Sequence, residues 1–185
     1  MLIHDHFVGI KRILLMCSLV LLIATVRGFG NDNTPAVPPS KQIIGWLELI
    51  HIYPGRLAIR AKMDTGAKTA SLNATRLVEF EKNGEKWVRF TVTDKKGPPV
   101  TFEEKILRYV KIKENNGALQ KRPVIRLWLC IGDQTHAAEV NLTDRSFLNY
   151  QLLIGRTFLK EKYVIDAERT FTVKPVCRPS GGRIK

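Results

Sequence analysis

Between residues 41 and 173 the chain is a succession of short apolar–polar alternations broken by turn residues, the two-residue period of half-buried strands. Segments 41–52 and 56–63 flank Tyr53-Pro54-Gly55, a turn. Segment 78–92 carries Asn83-Gly84 between two alternating halves, the strongest short-range hairpin signal. Asn116-Gly117 repeats the device between 106–114 and 122–131, and Gly132-Asp133 turns the chain into 135–142. Residues 163–173 read as a last hairpin, and only 157–162 read as helix. Many short strands joined by tight turns predict an all-β barrel or sandwich, and no internal repeat suggests otherwise.

The N-terminus is different. Lys11 and Arg12 precede an apolar run over 13–24, followed by Gly28 and Gly30. A basic start, a short apolar stretch and small residues describe a secretory signal peptide over 1–30. An uncleaved membrane anchor is the alternative, although the run is shorter than the ~20 apolar residues that span a bilayer. Met16 before Cys17 is too bulky for a lipoprotein cut. Residues 31–41, with Pro35, Pro38 and Pro39, read as a linker, 42–174 as one domain, and 175–185 as a flexible tail.

Composition narrows this further. The 185 residues hold 30 Lys and Arg against 17 Asp and Glu, a formal charge of +13. A bilobed enzyme is excluded by length. Loss of residues 1–30 removes Lys11, Arg12 and Arg27 against Asp5 and lowers the charge to +11. Export to a periplasmic or secreted location makes nucleic acid an unsuitable partner; positive charge spread over a solvated surface is the plainer reading, and a preference for acidic substrates is the alternative. The exported chain keeps Cys130 and Cys177, either one disulfide or two separate thiols.

The candidate chemistry begins where segment 56–63 delivers the chain to Asp64-Thr65-Gly66-Ala67. An acid, a hydroxyl and a glycine at a strand end hold a carboxylate in a tight loop, with Gly66 leaving an amide free to face it. An ordinary Asx turn has the same three letters. Later comes Leu152-Leu153-Ile154-Gly155-Arg156-Thr157, an apolar strand running into Gly-Arg and a short helix.

In this order and in an all-β chain, the two segments resemble the retropepsin-like aspartic protease superfamily. Within it, Lys62 to Leu72, Trp87-Val88-Arg89-Phe90, Arg122-Pro123-Val124, Leu142-Thr143-Asp144-Arg145 and Leu153 to Thr157 resemble the bacterial group labelled "ATP-dependent zinc protease". The resemblance covers about residues 42–173. It implies a single-lobe, closed β-barrel of the acid-protease type with one short C-terminal helix. It also implies Asp64, Thr65 and Gly66 as catalytic residues, with Ala67, Lys68, Thr69, Asp144, Arg145, Gly155 and Arg156 binding substrate or supporting the site.

Two departures stand out. Asn73 replaces a His common in the group, and the 91 residues from Asp64 to Gly155 exceed the spacing of viral retropepsins. The Asn-Gly hairpins supply the added length, and one of them, or the loop over 94–99, is a candidate flap. No cofactor is expected: the exported chain has only His51 and His136, no His-Glu-x-x-His and no phosphate-binding loop. Asn73 and Asn141 fit the glycosylation pattern, but the resemblance is to bacterial proteins and neither is expected to be modified.

Aspartic proteolysis needs two carboxylates that share one proton around one water. With one Asp-Thr-Gly, a homodimer pairing Asp64 with its mate is the expected arrangement. Asp144 and Asp166 are the other candidate acids, with Asp144–Arg145 a structural ion pair as the plainer reading. Arg156 is expected to bridge acids near the loop, and Glu139 to be structural or site-lining. The activity implied is an exported aspartic peptidase acting on peptides, acidic or glutamate-rich ones included. The alternative is a non-catalytic module on the same fold that binds peptides or envelope polymers.

Overall fold

The computed structural model describes residues 40–93, 97–113 and 117–177. The leader and nearly all of the linker lie outside the described residues. Within them, no helix is long and apolar enough to cross a membrane.

The elements run β1 (Gln42–Tyr53), β2 (Leu57–Asp64), β3 (Ala70–Asn73), β4 (Thr75–Lys82), β5 (Glu85–Val92) and β6 (Val100–Lys105). Then come β7 (Arg108–Lys113), β8 (Leu119–Ile131), β9 (Gln134–Thr143), β10 (Leu152–Gly155), helix α1 (Arg156–Leu159) and β11 (Tyr163–Thr170). Strand β2 shows the rule that builds them: Leu57, Ile59, Ala61 and Met63 are buried, while Ala58, Arg60, Lys62 and Asp64 alternate with them on the other face. At Asn83-Gly84 both residues have positive φ, 56° and 73°, as a two-residue type I′ hairpin requires.

The larger sheet has the order β11-β1-β2-β10-β3-β9-β8-β7. Pairing of β1 with β8 through His51–Cys130, Ile52–Leu129 and Tyr53–Trp128 closes six of these strands into a barrel. Closure removes the edges that an open sheet would expose. Its interior is filled by residues such as Ile44, Ile50, Ile59, Leu72, Ile125, Leu129, Val140 and Ile154, all buried. A separate sheet, β4-β5-β6, adds Val88, Phe90, Val92 and Phe102 to the same core, with Phe90 and Phe102 stacked at 5.4 Å. The expected all-β closed barrel with one short helix is therefore the fold found.

Four local expectations change. Segment 163–173 holds one strand, β11 (Tyr163–Thr170), running parallel to β1, because its partner lies at the start of the domain rather than next in the chain. The helix begins at Arg156 and ends at Leu159, shorter than 157–162 and shifted toward Gly155. Strands β3 and β6 had no counterpart in the sequence pattern. Finally, residues 175–177 are held: Val176 N–H donates to the Gly132 carbonyl at 2.8 Å, and Cys177 is disulfide-bonded to Cys130. That bridge packs with Tyr53 and Trp128 and resolves the choice between disulfide and separate thiols. The rest of the expected tail, 178–185, lies outside the described residues.

Candidate active site

Strand β10 lies between β2, to which it is parallel, and β3, to which it is antiparallel. The chain leaving β2 at Asp64 must cross β10 to reach β3, and Gly155 lies opposite Asp64 in the register. A side chain at 155 is impossible without movement: its Cβ would stand 2.6 Å from the backbone of Thr69. Gly155 thus lets the Asp64 loop pass over the end of β10.

The loop is held from below by the residues that follow. Arg156 N–H donates to the Ala67 carbonyl at 2.9 Å, and Thr157 donates to the Lys68 carbonyl through its N–H at 3.0 Å and its hydroxyl at 2.8 Å. The Arg156 guanidinium donates through Nη1 to the carbonyls of Thr65 at 2.7 Å and Gly66 at 2.8 Å. Arg156 therefore clamps loop backbone; the expected bridge between acids is not formed among the described residues.

Asp64 is half-buried, and its Oδ1 accepts the N–H groups of Gly66 at 3.0 Å and Ala67 at 3.2 Å. A Cβ at Gly66 would come within 3.2 Å of the same oxygen, so the glycine permits this approach. No hydrogen bond engages Oδ2 among the described residues, leaving it for a water or a second acid. Thr65 and Gly66 are exposed, as is Lys68, while Thr69 is half-buried.

The acids proposed as partners are engaged by other groups. Asp166 belongs to β11, two strands from β2 in the sheet order, and is engaged by Arg169 Nε at 3.3 Å and by Glu168 N–H at 2.9 Å. Asp144 accepts Ser146 N–H at 2.9 Å, and that serine holds its carboxyl below the usual range. No Asp144–Arg145 ion pair forms among the described residues; Asp144 is engaged by Ser146. Glu139 takes a two-pronged contact from Arg108, at 2.7 and 3.1 Å.

Arg145 is where the sequence pattern and the three-dimensional arrangement differ most. Its backbone N–H donates to Asn73 Oδ1 at 2.6 Å, and the Asn73 amide contacts Gln151 Oε1. Its Nε is buried with no hydrogen-bond partner among the described residues. Burial and the charge of Arg122 lower the pKa of its guanidinium, while the Asp64 carboxylate favours the charged form. Asn73, in place of the expected His, is thus a buried strut of the site. Further struts follow: Ser71 Oγ donates to Asn141 Oδ1 at 3.1 Å, and the Asn141 amide donates to the Ala70 carbonyl at 2.6 Å. Asn73 and Asn141 are 6% and 4% exposed, which places both glycosylation patterns out of solvent. The struts were not identifiable locally, since each partner lies about 70 residues away.

No cluster of three His, Cys, Asp or Glu side chains that would hold a metal occurs among the described residues. His136 packs edge-on to Phe158 and Tyr163 at 6.1 and 6.4 Å, and burial beside Lys162 lowers its pKa. His51 stands opposite Cys130 in the barrel seam.

This arrangement matches known proteins. A crystal structure of a protein of unknown function from Legionella pneumophila is 39% identical, superposes with a TM-score of 0.65, and covers 73% of this chain and all of its own. A probable alpha-L-glutamate ligase of Shewanella halifaxensis is 32% identical over 117 residues, which are 62% of this chain and 26% of that protein. One from Desulfotalea psychrophila is 29% identical over 151 residues, 78% of this chain and 32% of its own length. The chain thus spans about a quarter to a third of these curated relatives. A family model described as retropepsin-like aspartic endopeptidase RimB matches residues 43–175. The chain belongs to the RimB-like family of retropepsin-like proteins.

Proposed function

We propose that this protein is an exported aspartic peptidase that hydrolyses peptide bonds through a water activated by Asp64 paired with Asp64 of a second copy. One observation carries the reading: Asp64 is fixed through Oδ1 by two loop amides, with Oδ2 left unengaged at an exposed loop and no second acid bonded to it among the described residues. A carboxylate so placed is pre-positioned for chemistry and lacks its partner, which two-fold symmetry supplies. Two carboxyls brought together cannot both ionise, so they hold one proton. The ionised one takes a proton from water as the water oxygen attacks the scissile carbonyl carbon, and the protonated one hydrogen-bonds the carbonyl oxygen. Collapse of the diol breaks the C–N bond, the amine leaves with a proton, and a carboxylic acid remains.

The substrate is an acidic, glutamate-rich peptide. The basic charge of the domain favours it, and so does the kinship of this segment with proteins named as glutamate ligases. A periplasmic or secreted site of action accords with the apolar leader and with the Cys130–Cys177 bridge. The test is hydrolysis of a peptide library by the wild-type chain and by Asp64→Asn, together with the mass of the particle in solution. Cleavage by the wild type alone, from a dimer, is expected. Equal cleavage by Asp64→Asn overturns the mechanism, and a monomer that binds peptides without cutting them supports a binding module instead.

A further inference from the structure

The segment that leaves the Asp64 loop forms one wall of a cavity on the barrel that the mechanism does not use. Its volume is about 380 Å³, within the range of small-ligand clefts. Lys68 and Thr69 contribute that wall, Thr157 and Phe158 of α1 the next, and Arg108, Arg126 and Glu139 come from β7, β8 and β9, with Lys162 at the rim. Four cations thus surround one carboxylate.

The carboxylate is already committed. Arg126 lies directly opposite Glu139 in the β8–β9 register, yet Glu139 Oε2 accepts from Nε and Nη2 of Arg108. Among the described residues the side chains of Arg126 and Lys68 form no ion pair or hydrogen bond. Among the described residues Lys162 Nζ hydrogen-bonds only the Phe158 carbonyl, at 3.5 Å, and lies 5.8 Å from the centre of the Phe158 ring. Three cations of like sign converging on one concave surface repel one another and focus positive potential there, an arrangement that an anionic ligand relieves.

We infer that this cavity is an anchoring site for carboxylate side chains of an acidic peptide, separate from the Asp64 loop and sharing residues 68–70 with its exit. The inference rests on the proposed peptidase reading and extends it: the pocket holds acidic side chains while another part of the same peptide lies at Asp64. Carboxylate is the ligand class because Arg108 already holds one here, with Nε and Nη2 both on a single Glu139 oxygen, and Arg126 presents a second guanidinium with no ion pair among the described residues.

The experiment uses the exported chain carrying Asp64→Asn, so that peptide is not consumed, and measures binding of fluorescein-labelled α-linked pentaglutamate by anisotropy. Saturable binding is expected, weaker for pentaglutamine and weakened by raising NaCl from 0.05 to 0.5 M, conditions that shorten the screening length. Arg126→Ala and Lys162→Gln, on separate elements, are each expected to weaken it about fivefold to tenfold with unchanged thermal midpoints. Affinity indifferent to both substitutions overturns the inference, as does equal binding of pentaglutamine. Displacement by a twelve-residue oligothymidylate with the same Arg126 dependence and equal affinity also overturns it, assigning the pocket to phosphate backbones. The two readings fail separately. Arg126-dependent binding with no wild-type hydrolysis sinks the peptidase and keeps the pocket; Asp64-dependent hydrolysis with binding blind to Arg126 does the reverse.

Discussion

Two carboxylates in two regions of this barrel receive backbone amides, and they end in opposite states. Glu48, fully buried on β1, accepts Gly45 N–H at 2.7 Å, Thr172 N–H at 3.0 Å, the Thr172 hydroxyl at 2.6 Å and Val173 N–H at 3.4 Å. Every donor is protein, the carboxylate itself is out of solvent, and the group ties β1 to the segment after β11. Asp64 receives two amides on one oxygen only, and its loop is open to solvent. The chemistry of the group is the same; what separates a structural acid from a candidate catalytic one is the capacity left unspent. Saturation converts a buried carboxylate into a fastener, whereas half-saturation at an exposed loop orients it and leaves an oxygen to act.

Asp64→Asn tests one half of that contrast. It keeps the Oδ1 acceptor and is expected to leave urea unfolding within about 0.5 kcal/mol of wild type. Peptide hydrolysis is expected to fall about 10⁴-fold, since the base is gone. A large loss of stability would make Asp64 a second fastener. Glu48→Ala is the mirror experiment. It removes the acceptor of the Thr172 and Val173 N–H groups and of the Thr172 hydroxyl, while Gly45 N–H keeps Thr172 Oγ1 at 3.0 Å, and a loss of about 3 kcal/mol in urea unfolding is expected, with hydrolysis per folded molecule unchanged. A loss below about 1 kcal/mol would show that the seam does not depend on the carboxylate.

A covalent fastener supports the same end of the chain. The Cys130–Cys177 bridge closes a loop of 47 residues, and Cys177 N–H also donates to Cys130 Sγ at 3.3 Å. The paired substitution Cys130→Ala, Cys177→Ala is expected to lower stability by about 3 kcal/mol, by freeing the unfolded chain. Activity should persist, because the bridge joins the β8 end to the C-terminal segment rather than the Asp64 loop. A thermal midpoint unchanged by the substitution and by dithiothreitol would remove the bridge as a stabilising element.

How much of this was legible in the sequence depends on whether a feature is local. The two-residue period and the Asn-Gly turns are local, and they gave β1, β2, β5, β7, β8 and β9 close to their observed limits. Asp64-Thr65-Gly66 and Leu152 to Arg156 were legible as a pair, and the structure brings them together through the Gly155 crossing. Strand β3 was hidden because its four residues are all buried and do not alternate. The Asn73–Arg145 strut was hidden because nothing near either residue announces the other. The parallel pairing of β11 with β1 joins segments some 120 residues apart, so its local pattern read as a hairpin. Strand β6 was hidden for a chemical reason: Val100 and Phe102 point to one face, and the next residue on that face is Glu104.

Glu104 sharpens the comparison, since it is a half-buried carboxyl with no hydrogen-bond or ion-pair partner among the described residues. It stands opposite Val88 in the β5–β6 register. Burial raises its pKa to about 7, with no donor to counter the loss of hydration. In the unfolded chain a glutamate titrates near its ordinary value of about 4.3. Between these two values the folded protein binds more protons than the unfolded one, so stability falls as pH rises through this window. The unfolding midpoint is therefore expected to be about 3–6 °C higher near pH 5 than near pH 8 through this group, and Glu104→Gln should flatten that difference. Glu104→Leu should stabilise the protein at pH 8, by completing the apolar face with Val100 and Phe102. An unchanged slope in Glu104→Gln would mean that water or an ion solvates the carboxylate in the β4-β5-β6 sheet. Glu104 would then belong with Asp64 among the acids that keep access to solvent.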